Sequence, residues 1–199
     1  MNHPTTPTAL HASIASHRQR LLDGMSKAVA VKGYADATIA DIVREAAVSR
    51  RTFYEHFQTK AECLIALYEA ASRNALDVLR QAIDPARDWH GQVEQALSAY
   101  FSCLSQNPVL LRTLFIEILG LGAPGLAARR RMNTEIANFM LQVVNGNPDL
   151  DPGKALSAEM AMAVVGGINE LVLQAIEDGR ESSLRELVAP SVQLVRSVA

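Results

Sequence analysis

Cysteine is almost absent from this chain: Cys63 and Cys103 are the only two in 199 residues, and neither has neighbours at metal-ligand spacing. That argues against a disulfide framework or a metal site and suits free thiols in a reducing cytosol. Long apolar runs are also missing; none approaches the ~18 residues that a membrane span needs. The opening "MNHPTTPTAL" lacks a basic region followed by an apolar core, so no signal peptide is expected. Residues 1–11 read instead as a short disordered arm. Alternating stretches of strand length are absent, which leaves helices to build the fold. Net charge is only −2, so total charge gives no sign of a polyanionic partner.

What is present is uneven. Residues 1–60 carry eight Lys/Arg against five Asp/Glu, whereas residues 61–199 carry eleven against sixteen. A basic front on an acidic body suits a chain whose amino-terminal part meets a polyanion. Apolar residues make up 49%, enough for a sizeable core. They recur at three- and four-residue intervals, which predicts an all-α fold of about nine helices.

The first helix is expected from Ala12 to Lys32, with Leu21, Leu22, Met25, Ala28 and Val29 inward and Gly33 as a left-handed stop. Thr38 and Asp41 match a capping box, so a short helix starts at Ile39. Ser49 caps another short helix that buries Phe53 and Phe57. Helices this short are marginal alone and hold only by packing on each other and on the first helix. The arrangement is a helix-turn-helix over 12–59. Its turn places Ala47 where glycine is common, a source of slight strain if φ is positive there.

The stretch "AVSRRTFYEHFQTK" then sorts by face. Phe53 and Phe57 point inward with Val48. Arg50, Arg51, Thr52, Tyr54 and His56 lie on the first turns and the outer side. Arginine can bridge guanine edges, hydroxyls can bond phosphate oxygens, and Lys60 can add a further phosphate contact. A merely solvated helix face is the alternative. No carboxylate and nucleophile accompany His56 in a triad-like set, so catalysis is not expected and no metal or cofactor is implied.

Gly33-Tyr34, the run Thr38–Val43, Ala47–Phe57 and Lys60–Leu64 together resemble the DNA-binding domain of TetR-type transcriptional regulators. The resemblance covers about residues 20–65. It implies a cytoplasmic homodimeric repressor that a small-molecule effector releases from double-stranded DNA. By position, Thr38, Ser49, Arg50, Thr52, Tyr54, His56 and Lys60 stand where the family contacts DNA. Arg51 replaces a glycine often seen there, and either reads a base or adds charge.

Residues 60–199 then form a helical effector-binding and dimerisation domain. Trp89, Tyr100, Phe101, Phe115 and Phe139 can line an apolar effector pocket, with Glu117, Asn133 and Asn169 as polar groups; ordinary core is the competing use. Asn107-Pro108 reads as an N-cap followed by Pro at the first helical position. Gly120–Gly125 reads as a loop. The penultimate helix is expected from Asp151-Pro152, and Ser183 offers another capping box. A dimer face is expected from Met160, Val164, Gly167, Leu171, Leu184, Leu187, Val188 and Val192, with intramolecular core as the alternative. Pro190 predicts a kink or break. A helical small-molecule-binding protein or enzyme with an unused helix-turn-helix, a transcriptional activator, or an architectural DNA binder without an effector remain as other readings.

Overall fold

The computed structural model describes residues 7–84, 86–147 and 155–198, with side chains from Ala15 onward. Among these residues there are helices and no strands. They divide into two compact units, Met1–Tyr68 and Glu69–Ala199.

In the first unit, α1 (Pro7–Asp36), α2 (Ile39–Ala46) and α3 (Arg50–His56) pack around a core that includes Leu21, Leu22, Met25, Ile42 and Phe53. α1 begins five residues before the expected start, so positions 7–11 of the expected arm are helical; positions 1–6 lie outside the described residues. Gly33 ends its regular part at φ 75 and ψ 164. That is not the left-handed helical region expected but an extended one with positive φ, open essentially only to glycine.

α2 starts as expected. Thr38 Oγ1 accepts from the Asp41 amide at 3.2 Å, and Asp41 Oδ2 accepts from the Thr38 amide at 3.0 Å. Its end is a Schellman motif: the Val48 amide donates to Val43 O and the Ala47 amide to Arg44 O. Ala47 takes the left-handed position at φ 50, ψ 49, the only described non-glycine residue with positive φ. Gly24 lets α1 and α2 meet; a β-carbon there would lie 2.6 Å from Ile42 O.

α4 (Lys60–Ala82) begins in the first unit and ends in the second. The second unit continues with α5 (Trp89–Ser105), α6 (Pro108–Arg112), a π-helical turn (Thr113–Glu117), α7 (Ile118–Gly120) and α8 (Ala123–Asn145). Then come α9 (Ala158–Glu177), a 3-10 segment (Glu181–Leu187) and α10 (Val188–Arg196). With α6 and α7 joined through the π turn, the described residues make nine helical rods. Asn107 caps α6 by accepting from the Leu110 amide at 3.0 Å, with Pro108 in the first turn.

Several expectations change here. The Gly120–Gly125 loop shrinks, because Gly122 turns the chain at φ 65 and α8 already starts at Ala123. Gly125 is buried, and a β-carbon there would strike Ile118 O at 1.9 Å. The Asp151-Pro152 start of the penultimate helix lies outside the described residues. α9 itself is capped by Ser157, whose hydroxyl accepts from the Met160 amide at 3.3 Å. Ser183 caps nothing: it sits in the 3-10 segment at φ −111, ψ 21. Pro190 breaks no helix, since it falls in the first turn of α10, where its missing N–H costs nothing.

α9 is the described helix long and apolar enough to cross a membrane by length and composition, with mean hydropathy 1.3. No apolar run of that length was expected. Its apolar side, including Val164, Val165, Ile168 and Val172, is buried in the unit's own core, and Glu170 and Gln174 are exposed.

Candidate nucleic-acid interface and ligand cavity

α3 presents its faces as its periodicity demands. Phe53 is fully buried and Phe57 nearly so, with ring centroids 5.8 Å apart. Burying one such ring contributes about 1.5–3 kcal/mol, enough to hold a two-turn helix down. Val48, expected inside, is half-buried. On the outer side Arg50 and Arg51 are exposed, and Tyr54 is 57% exposed with its ring edge-on to Phe53. Arg51 Nε donates to Glu55 Oε1 at 3.1 Å, one turn on. Both groups are exposed, so this pair is weak and releases the guanidinium at little cost.

Burial holds the His56 imidazole below its ordinary pKa, with the neighbouring His17 and Arg18 charges acting in the same direction and Glu55 opposing. His56 therefore offers a neutral ring and a hydrogen bond more than a charge. Arg18 lies over the Phe57 ring at 5.7 Å.

Three expected contact residues have structural tasks. Thr38 Oγ1 donates to Asp41 Oδ2 at 2.7 Å besides accepting from its amide. Ser49 Oγ accepts from the Thr52 amide at 3.0 Å, capping α3, and lies 2.9 Å from the Thr52 hydroxyl. Lys60 Nζ donates to the carbonyls of Tyr34, Ala35 and Ala37 at 2.7, 3.2 and 2.8 Å, and sits 4.3 Å from the Tyr34 ring centroid. An ammonium has three donors, and this clamp on the end of α1 uses all of them.

Nothing in the sequence points to Arg20. Its guanidinium donates from Nε to Ala46 O at 3.0 Å and from Nη2 to Ala47 O, fastening the turn between α2 and α3. Asp41, expected only as half of the capping box, is a second anchor. Lys32 at 2.8 Å, the Thr38 bonds and Arg44 at 3.0 Å hold its carboxyl well below the usual carboxylate range. The outer face of α3 is thus carried on a braced platform.

The second unit contains an open-sided, mostly apolar cavity. α4 contributes Leu79, the residue just after that helix is Ile83, and α5 contributes Trp89, Val93, Leu97 and Tyr100. α8 adds Ile136, Phe139 and Met140, and α9 adds Ile168 and Asn169. Of the residues expected at a pocket, Trp89, Tyr100, Phe139 and Asn169 therefore come together. Four others do not line it. Phe101 is fully buried in the core and Phe115 packs against that core. Glu117 lies half-buried in the π turn. Asn133 stands behind Asn169, accepting a hydrogen bond from its Nδ2 at 3.1 Å. The aliphatic walls of α4, α5 and α8 carried no separate signal, because ordinary core uses the same residues.

Residues 21–67, which contain the whole braced α2–turn–α3 assembly, match the family model described as "Bacterial regulatory proteins, tetR family". The HTH-type transcriptional regulator TtgW of Pseudomonas putida is 32% identical over 117 residues, covering 57% of this chain and 81% of TtgW. The chain belongs to the TetR family. The HTH-type transcriptional activator FasR of Mycolicibacterium smegmatis is 28% identical over 118 residues, covering 59% of this chain. The chain spans about half the length of FasR, and a fifth of another curated relative. Its fold also matches the transcriptional regulator FadR of Bacillus subtilis, solved in complex with stearoyl-CoA. That match has a TM-score of 0.76 at 17% identity and covers 91% of this chain and 98% of FadR.

The residues expected at a dimer face divide by burial within the single chain. Val164 is 1% exposed, Leu184 is fully buried and Leu187 nearly so, all inside the unit's own core. Side chains already covered within one chain have no surface left for a partner. Met160 is exposed at 46%, and Gly167, Leu171, Val188 and Val192 are half-buried.

Proposed function

We propose that this chain is a dimeric transcriptional regulator that binds operator DNA through α3 and responds to a small molecule held in the cavity of its second unit. The observation that carries the reading is the outer face of α3. Arg50, Arg51 and Tyr54 stand exposed on a helix whose Phe53 and Phe57 are locked inward. Thr52 and His56 flank them with a hydroxyl and an imidazole. Long cations and hydroxyls on a two-turn helix suit base edges and phosphates in a major groove. Thr38, Ser49 and Lys60 enter as supports of that helix.

Repression relieved by the effector is the favoured sign of regulation, with the end of α4 in the second unit carrying the cavity's state toward Lys60. Release needs only that the effector favour the DNA-incompetent state, by about 1–3 kcal/mol of coupling. FadR in complex with stearoyl-CoA is in keeping with a small-molecule site in this fold. Activation is the second reading, favoured by the likeness to FasR. A DNA-binding role places the protein in the cytoplasm, without an enzymatic task.

Binding of the protein to its own upstream DNA, followed by fluorescence anisotropy, tests the proposal. The wild type is expected to prefer that DNA over random duplex at moderate salt. Arg50→Ala and Tyr54→Ala should each weaken it by roughly 5- to 150-fold, the effect of about 1–3 kcal/mol. Equal binding to random duplex would falsify the reading. Reporter output in a deletion strain separates repressor from activator.

A further inference from the structure

We infer that the cavity takes a neutral, largely apolar molecule whose single polar group hydrogen-bonds to the carboxamide of Asn169. The inference rests on the reading of that cavity as an effector site. No Asp, Glu, Lys, Arg or His is among its lining residues. An ion seated there would lose water and gain no counter-charge, which is heavily penalised. Arg80 lies 5.8 Å over the cavity-lining Phe139 ring, but it is not among the lining residues and is exposed, so solvent screens its charge from a group inside.

Besides Trp89 and Tyr100, whose rings carry an N–H and a hydroxyl, Asn169 is the polar residue in this lining. It is 6% exposed, in mid-α9, next to Ile168. A buried carboxamide is costly unless its hydrogen bonds are made. The bond from its Nδ2 to Asn133 Oδ1 at 3.1 Å satisfies one donor and fixes the plane of the group. A carboxamide has two N–H donors and a carbonyl acceptor, so an acceptor and a second donor remain to be matched. A hydroxyl, which both donates and accepts, is the simplest complement. Asn133 is the positioning residue and Asn169 the specificity-determining one.

Trp89 gives a direct readout, because it is the chain's single tryptophan and lines the cavity. Full-length protein without DNA is titrated at neutral pH with 1-octanol, octanoate and octylammonium, following Trp89 emission and the thermal midpoint. Octanol should give a saturable change, with both ions at least ~10-fold weaker. Asn169→Leu, checked for an intact helical spectrum, should weaken octanol about tenfold, the loss of one hydrogen bond to a neutral partner.

Ions binding as tightly as the alcohol would overturn the inference. So would unchanged octanol affinity in folded Asn169→Leu, or no response to any probe up to its solubility limit. The comparison of wild-type protein across the series stands even if the variant does not fold. Because DNA is absent, loss of the regulatory reading leaves this result untouched. Conversely, octanol binding that leaves DNA affinity unchanged would count against the regulatory reading alone.

Discussion

At the scale of single residues, the turn of the helix-turn-helix carries a small, removable strain. Ala47 has a β-carbon in the left-handed region, which costs an L-residue roughly 1–2 kcal/mol. Glycine there would relieve this, offset by about 0.4–1 kcal/mol of extra freedom in the unfolded chain. Ala47→Gly is therefore expected to raise the urea midpoint slightly, by about 0.5 kcal/mol of stability; a lower midpoint would show that the strain is not there. Asp41 acts in the pH dimension. Its carboxyl has an ordinary pKa of 3.8 and is lowered in the folded chain by Lys32, Thr38 and Arg44. A lowered carboxylate contributes stability that is present above the unfolded value and lost as pH falls through the folded one. Thermal midpoints from pH 5 downward should thus fall more steeply in the wild type than in Asp41→Asn, which starts lower at neutral pH. Parallel slopes would remove Asp41 from the account. The Cys63 thiol, pushed up to about 12 by burial, stays protonated throughout and takes no part.

Among elements, local signals were legible and long-range ones were not. Thr38, Ser49 and Asn107 declared their helix starts because a cap bonds an amide only two or three residues away. Phe53 and Phe57 declared the inner face of α3 by their spacing. Arg20 and Lys60 gave no such sign, because their partners are carbonyls more than twenty positions off. Any exposed-looking cation has the same sequence appearance. Ser183 matched a capping pattern, yet Leu184 and Leu187 draw the chain into the core as a 3-10 segment. Packing outweighs a cap of about 1 kcal/mol. The α1–α2 crossing supplies a test at this scale. Gly24→Ala would put a β-carbon 2.9 Å from that of Ala46 as well as against Ile42 O. A loss of about 1–3 kcal/mol in chemical denaturation is expected, despite alanine's better helix propensity. A neutral result would mean that the two helices sit looser than this.

For the whole molecule, the question is which apolar surface one chain covers for itself. The stripes on α9 and α10 read as a partner face with core as the alternative, because hydrophobic periodicity says that a face is buried and not by what. In the folded unit, Val164, Leu184 and Leu187 are covered and Met160 and Val192 keep exposed area. If the proposed dimer uses that remaining face, Met160→Glu with Val192→Glu should shift the mass by light scattering from dimer to monomer. The helical spectrum should be kept and DNA affinity should fall. A dimer that survives both changes would place the interface elsewhere.

The sequence by itself determined the helical class, the helix-turn-helix with its caps and buried phenylalanines, and the basic outer face of α3. All of these rest on interactions within a few residues or on a repeat of three to four. Only the tertiary structure decided that Lys60 and Arg20 clamp carbonyls, that α4, α5, α8, α9 and α10 all contribute to the cavity walls, and that Asn169 is in its lining. Those facts depend on which distant segments meet, and neither side-chain type nor spacing along the chain records that.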